Sequence, residues 1–374
     1  MIKKILILGS QRKKSQEIID FFKRHNQKYK ISALLCNDEK QFDLFKKQIQ
    51  ELQPSVIFFP NKDLAEKLEL EFNIKCYHDY SQYTSFLKIT DCDLIISDFT
   101  GIDSVKLILA SIGEYKDIGL LNLEPILYSG KIIINEAKNK GIELNYITPQ
   151  FQSMSLFLNT KKLNEIDKII LIDYDTKEDK ENLTNYTAPS KALSEFKKIF
   201  YFKNKMWLSR HLIVMSNLYN LELDNFDFYK SNTEKINLIL QLKNGCNFFN
   251  YTDNNKESIY NLYYLDNSQI KENNKLEDNI NINIKKINFE EIATLKLAYL
   301  AIKKGGSYPI LFQMVYDVCA EELYKNNLPK DSFIKIFSKI LEDKTFYSKN
   351  PNIQTIFALD EKIRERIKKE IKKK

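Results

Sequence analysis

Glycine is the first thing this chain lacks. Nine glycines occur in 374 residues, where ordinary usage of roughly 7% would place roughly 26. With only eight prolines, collagen-like and Pro/Gly-rich disordered classes are excluded. The scarcity also argues against a glycine-lined phosphate loop, because backbone reaches a phosphate closely only where a Cβ is missing. The five cysteines (Cys36, Cys76, Cys92, Cys246, Cys319) are odd in number, widely spaced and without a CxxC pair. Disulfide scaffolds, zinc ribbons and thioredoxin-like centres fall away, and scattered thiols suit a reducing cytoplasm, the expected location. The three histidines (His25, His78, His211) form no spaced metal or acid–base set. His211, in an apolar helical run, reads as a satisfied, partly buried side chain. No apolar run approaches the roughly 18 residues a membrane span needs. The opening MIKKILILGS resembles an export signal, but its apolar run is only Ile5–Leu8 and Arg12-Lys13-Lys14 follows, so it reads as a first strand.

What remains is ordinary globular composition: 43% hydrophobic and 29% charged residues, enough chain for two to three domains. The net charge of +7 is mild, and much of it sits in the tail from Glu361 to Lys374, which reads as a solvated helix end favoured by the helix dipole. The 21 tyrosines and 24 phenylalanines fall mostly on apolar strand and helix faces. They read as core rather than as stacking platforms for nucleic acid. No nucleic-acid partner is expected.

Over residues 1–150, short apolar runs alternate with helical spacing. Strands are expected at Ile5–Leu8, Tyr29–Cys36, Ser55–Phe59, Lys75–Tyr77, Asp93–Ser97, Asp117–Leu121 and Glu143–Ile147. Helices are expected at Ser15–His25, Gln41–Leu52, Asp63–Phe72, Asp103–Ile112 and Pro125–Lys140. This is the signature of βαβ units and a parallel, doubly wound, Rossmann-like sheet. Residues 151–265 read as a central α/β domain, with strands at Lys168–Asp173, Lys235–Leu242 and Ser258–Leu265 and helices at Ser190–Phe200 and Trp207–Leu221. Residues 266–288 are rich in Asn, Lys and Glu and read as a linker. Residues 289–374 read as a C-terminal helical bundle, with helices at Phe289–Lys304, Tyr308–Lys325, Lys330–Glu342 and from Ala358 on. Gly305-Gly306 caps the first of these and Pro329 starts the third.

The loop after the first strand is GSQRKKS, Gly9–Ser15. Ser10 and the amides of Gln11 and Arg12 can meet a phosphate at a helix N-terminus, with Arg12, Lys13 and Lys14 supplying charge. A solvated basic turn accounts for the same residues equally well. From this loop onward the chain resembles the 1-deoxy-D-xylulose 5-phosphate reductoisomerase family. KILILGSQRKKSQEIIDFF keeps Gly9, Ser10 and Asp20 of the family's first loop and helix. QIQELQP, Gln48–Pro54, looks like the approach to its third strand. Thr100–Gly130 lies on the family without a gap, with Asn122 and Glu124 on its Asn-Lys-Glu-Ser motif. Thr294–Asp317 follows its Leu-x-Leu-Ala helix, its Gly-Gly-x-x-Pro turn and the next helix.

The resemblance implies an NADPH- and metal-dependent enzyme of isoprenoid synthesis that works as a homodimer. Carried over residue by residue, it places Gly9, Ser10, Gln11, Arg12 and Asn122 toward the cofactor. It leaves Glu124, Asn217 and Glu222 as remnants of the catalytic set. The departures are specific. Leu123 replaces the lysine of Asn-Lys-Glu-Ser and Pro125 its serine. At the metal motif the acidic positions fall on Thr148 and Gln150, or in the next register on Pro149 and Phe151, and neither register supplies a carboxylate. The substrate-phosphate segment lands near Tyr174, Asp175, Thr176 and Lys177, and the Trp flap near Phe202–Lys205, with Trp207 out of register. Asp173 with Asp175 forms either a new metal pair or, as expected here, an exposed acidic turn. The expectation is a divergent homologue without the metal-dependent activity, in a binding or scaffold role. In that reading NADPH is retained at most and a divalent metal is not. The alternative is an active NADPH-dependent reductoisomerase or an altered NAD(P)-dependent oxidoreductase. The sequence names no protein partner.

Overall fold

The computed structural model describes residues 2–147 except 115, then 151, 154, 157 and 158, then 162–174, 205–251 except 234, and 282–372 except 326, 330 and 331. Contacts divide the chain into two compact units. The first comprises residues 1–125, 133–152 and 255–271; the second comprises 126–132, 153–254 and 272–374.

The first unit is built on seven parallel strands: β1 (Lys3–Leu8), β2 (Tyr29–Leu35), β3 (Val56–Phe58), β4 (Lys75–Tyr77), β5 (Leu94–Ser97), β6 (Asp117–Leu120) and β7 (Leu144–Tyr146). Their order is β4-β3-β2-β1-β5-β6-β7. Helices α1 (Lys13–Arg24), α2 (Phe42–Leu52), α3 (Lys62–Phe72), α4 (Tyr83–Ile89), α5 (Asp103–Gly113), α6 (Glu124–Ser129) and α7 (Ile132–Lys140) fall between them. Parallel strands covered on both faces must be apolar throughout, and Ile5, Leu6, Ile7 and Leu8 are all fully buried. One face packs Ile5, Ile7, Leu34, Ile57, Leu94 and Ile96 against Ile18, Phe22, Phe45 and Leu68 of α1 to α3. The single helix expected over Pro125–Lys140 is two, α6 and α7. Gly130 separates them at φ +57, left-handed backbone that a continuing helix cannot use.

The second unit carries a mixed sheet of β8 (Ile166–Tyr174), β9 (Phe226–Ser231), β10 (Ile236–Leu242), β11 (Asn247–Tyr251) and β12 (Ile284–Lys286), ordered β11-β10-β8-β9-β12. Strands β8 and β9 run parallel; the other pairs are antiparallel. Strand β12 corrects the reading of 266–288 as linker throughout. Asn-Ile alternation at 281–284 is a period-2 strand pattern hidden by its polar content, and Ile282 and Ile284 pack on Ile170, Ile172 and Ile239. The helices are α8 (Met206–Tyr219), α9 (Ala293–Lys304), α10 (Tyr308–Tyr324), α11 (Ser332–Glu342) and α12 (Ile353–Lys372). Helix α12 begins five residues before the expected Ala358. Phe312 of α10 meets Phe333 and Phe337 of α11 edge-on, with ring centroids 5.4 and 5.3 Å apart.

The expected helix over Ser190–Phe200 and strand over Ser258–Leu265 lie outside the described residues, as do Thr148, Pro149, Gln150, Asp175, Thr176 and Lys177. No described helix is long and apolar enough to cross a membrane. All five cysteines are free thiols, four of them buried.

Candidate functional site

The first unit has a topological switch point between β1 and β5. From β1 the chain winds outward to β2, β3 and β4, then returns to β5 on the opposite side. Loops leaving the C-terminal ends of two such strands diverge and open a crevice, where ligands bind in open α/β sheets. Here the crevice is edged by residues 9–12 after β1, 98–102 after β5 and 121–124 after β6.

The loop after β1 turns on Gly9, at φ +79. A Cβ there would sit 3.4 Å from the backbone carbonyl carbon of Asp98, so the position needs both glycine's freedom and its lack of bulk. The amides of Gly9 and Ser10 both donate to the Leu35 carbonyl at 2.9 Å, fixing the loop against the end of β2. Gln48 of α2 donates to the Ser10 carbonyl at 2.9 Å, and the Gln11 side-chain amide donates to Asn37 Oδ1.

Two of the three basic side chains, Arg12 and Lys14, reach the other way. Arg12 donates to Thr100 Oγ1 at 2.8 Å, and Lys14 donates to the Leu121 carbonyl at 2.8 Å. Asn122 donates to Asp98 Oδ1 and to the Phe99 carbonyl, each at 3.2 Å. Glu124 accepts the Gly101 amide at 2.7 Å. Asp98 is only 6% exposed. Burial pushes its carboxyl above the usual carboxylate range, against the pull of Lys14, Arg12 and Asn122. Four buried polar atoms on or beside the loop have no hydrogen-bond partner: Ser10 Oγ, Gln11 Oε1, Ser15 Oγ and Gln48 Oε1. Such atoms call for water or a bound group, because an unmet buried donor or acceptor costs roughly 1–3 kcal/mol.

The structure thus gathers six of the sequence-derived residues: Gly9, Ser10, Gln11, Arg12, Asn122 and Glu124. It adds Lys14, read in the sequence as loop charge, and Asp98, Thr100 and Gln48, which the sequence did not place at this loop. Asp98 and Thr100 arrive because β5 lies beside β1, and Gln48 because it follows Phe45 on the buried face of α2. Asn217 and Glu222 belong to the second unit. Asn217 is half-buried in α8, while Glu222 is exposed at the start of the short turn Leu223–Asn225. Phe151 is core, 2% exposed, with its ring 5.1 Å from that of Tyr146. Leu123 is 6% exposed.

The acidic turn expected at Asp173 is corrected. Asp173 is 2% exposed, accepts the Trp207 indole N–H at 3.0 Å and pairs with Lys205 at 3.2 Å. The start of α8 brings both partners to the end of β8. His211 is buried as expected, with Nδ1 2.8 Å from the Trp207 carbonyl.

A model of the 1-deoxy-D-xylulose 5-phosphate reductoisomerase family matches residues 5–130. The enzyme of that name from Bacillus cereus is 28% identical over 173 residues, 46% of this chain and 44% of the relative. The one from Thermoanaerobacter sp. is 24% identical over 384 residues, 98% of this chain and 99% of the relative. By these matches the chain is similar to the 1-deoxy-D-xylulose 5-phosphate reductoisomerase family along nearly its full length. Solved reductoisomerases share its fold. The Zymomonas mobilis enzyme in complex with NADPH superposes with a TM-score of 0.81 at 14% identity, covering 99% of both chains. A reductoisomerase in complex with magnesium gives 0.84 at 17% identity, covering 100% of this chain and 99% of the other.

Against the reductoisomerase pattern the two implied groups fare differently. A hard divalent cation needs charged oxygen ligands, and Thr148, Pro149, Gln150 and Phe151 carry none. The crevice after β1 does fit a dinucleotide. It has a glycine that brings backbone close, partnerless buried polar atoms, and two cations on the side of β5 and β6.

Proposed function

We propose that this chain is a reductoisomerase-family protein that binds a nicotinamide dinucleotide and does not carry out the metal-dependent rearrangement. The observation that carries this reading is how the carboxylates left at family positions are used. Glu124 holds the Gly101 amide at 2.7 Å, and Glu222 is exposed at the start of the turn Leu223–Asn225, where its backbone amide donates to Asn225 Oδ1 at 3.1 Å. The Glu124 carboxylate is engaged by backbone, and Glu222 sits on an exposed turn. Leu123, where the family has a lysine, lies in the core and offers no cation to a substrate. Gly9, Ser10, Gln11, Arg12 and Asn122 are the cofactor-facing residues in this reading. Arg12 and Lys14 supply the positive charge that glycine-loop amides supply elsewhere. The bound dinucleotide would contribute hydride chemistry or, with no acceptor held, act as a structural ligand. The protein is a homodimer in this proposal, as the resemblance implies.

Retention of the family fold over the whole chain favours a second reading, an active reductoisomerase or an altered NAD(P)-dependent oxidoreductase. One experiment separates the two. The purified protein is titrated with NADH and NADPH by calorimetry. Mn²⁺ and 1-deoxy-D-xylulose 5-phosphate are then added and nicotinamide absorbance is followed. Dinucleotide binding without turnover is expected. Metal-dependent oxidation of the nicotinamide would establish the second reading, and absence of any dinucleotide binding would sink both.

A further inference from the structure

We propose that the dinucleotide this chain prefers lacks the 2′-phosphate, NAD(H) rather than NADP(H), and that Asp38 makes the distinction. This rests on the dinucleotide-binding reading above. In a doubly wound sheet the adenosine ribose faces the C-terminal end of the second strand, where a carboxylate accepts from the 2′-hydroxyl or an arginine takes up a 2′-phosphate. Here Leu8 and Leu35 end β1 and β2 side by side in register. Gln11 is bonded to Asn37, which places the turn after β2 against the first loop.

Asp38 is the next residue. It is half-buried, and its Oδ1 accepts the Lys40 amide at 3.1 Å, so the carboxylate is held in the turn. Glu39 follows, its Oε2 bonded to Asn61 at 3.0 Å. The turn from Cys36 to Gln41 therefore carries two carboxylates against one exposed cation, Lys40, and no arginine.

Two of the first loop's cations are bonded on the far side of β1 from it. Arg12 is bonded to Thr100 after β5, and Lys14 to Leu121 after β6, both across β1 from β2. Arg12 and Lys14 thus lie toward β5 and β6, where Asp98 and Glu124 also sit, while the turn after β2 carries Asp38 and Glu39. A ribose 2′-hydroxyl donates to a carboxylate. A 2′-phosphate brings a further charge of roughly −1.5 to −2 against it.

The test measures Kd for NADH and NADPH by calorimetry with the intact protein, Asp38→Asn and Glu39→Gln. Asp38→Asn keeps an oxygen to cap the Lys40 amide and removes only the charge. NADH should bind about tenfold or more tighter than NADPH, a gap that narrows as salt rises. Asp38→Asn should bring the two constants to within about threefold, with Glu39→Gln closer to the parent. NADPH binding as tightly as NADH, or more so, overturns the inference and leaves the dinucleotide reading standing. A preference for NADH that Asp38→Asn leaves unchanged overturns the role of Asp38. Binding of neither overturns the inference together with the reading beneath it.

Discussion

Asp98 is a carboxylate held where a carboxylate is costly. It sits at the end of β5, 6% exposed, with Asn122 as its hydrogen-bond donor and the cations Lys14 and Arg12 nearby. Burial outweighs those partners and raises its pKa. A carboxyl whose folded pKa is raised stabilises the fold fully below its unfolded value, and the contribution is lost as pH rises through the folded value. At neutral pH ionised Asp98 therefore works against the fold. Asp98→Asn, which keeps the oxygen that accepts from Asn122, should raise stability at neutral pH by on the order of 1 kcal/mol. The gain should vanish in acid, where Asp98 is itself protonated. Denaturant unfolding of both proteins across that range measures it, and an equal gain in acid would assign the effect to packing instead. Asp98 also marks how far residue-level reading reaches. Gly9–Arg12 stands out in the sequence as the loop after the first apolar run. Asp98, 86 residues beyond Arg12, becomes its neighbour only through the strand order β1-β5, which no local pattern records.

At the scale of elements, the Gly305-Gly306 turn shows sequence and structure agreeing on a point that can be measured. Both glycines adopt positive φ, +68 and +59. Ser307, next in line, donates to the Phe346 carbonyl at 2.6 Å and accepts the Ser348 amide at 2.9 Å, which ties α10 to the segment after α11. A Cβ on Gly306 would overlap the Ser348 carbonyl oxygen and sit 2.7 Å from Tyr347 Cε2. Gly306→Ala should therefore cost about 2–4 kcal/mol, backbone strain plus overpacking. Gly141→Ala is the control. It shares a positive φ, +66, but its Cβ would meet nothing within 4 Å, so it should lose only about 1 kcal/mol. Equal losses in thermal unfolding would refute the overlap.

The central strands of the first sheet were legible because buried parallel strands must be continuous apolar runs, and the part-exposed edge strands β4 and β7 from their place between helices. Helix α4, seven residues long, escaped reading, as did β9, whose Phe226 and Phe228 alternate with polar residues. Elements this short are decided by what they pack against rather than by their own composition.

For the molecule as a whole, three cations of the two units, Arg12, Lys14 and Lys205, already have acceptors. In the first unit Arg12 is on Thr100 and Lys14 on the Leu121 carbonyl. In the second, Lys205 and the Trp207 indole both meet buried Asp173. A dianionic substrate phosphate would have to displace a carboxylate in the second unit, which costs the desolvated Asp173 its partners. In the first unit a bound dinucleotide would offer charged oxygens to cations whose hydrogen bonds at present run to Thr100 and to the Leu121 carbonyl. The two units should therefore respond differently to ligands. A ligand that binds only the folded state stabilises it by about 2.7 kcal/mol at a hundredfold excess over Kd. Thermal unfolding should accordingly shift upward with NADH and stay in place with Mn²⁺ or with 1-deoxy-D-xylulose 5-phosphate, singly or together. A shift produced by the metal and the sugar phosphate would mean that a substrate site is present. The dinucleotide would then have to be counted as a cosubstrate rather than as the ligand that remains.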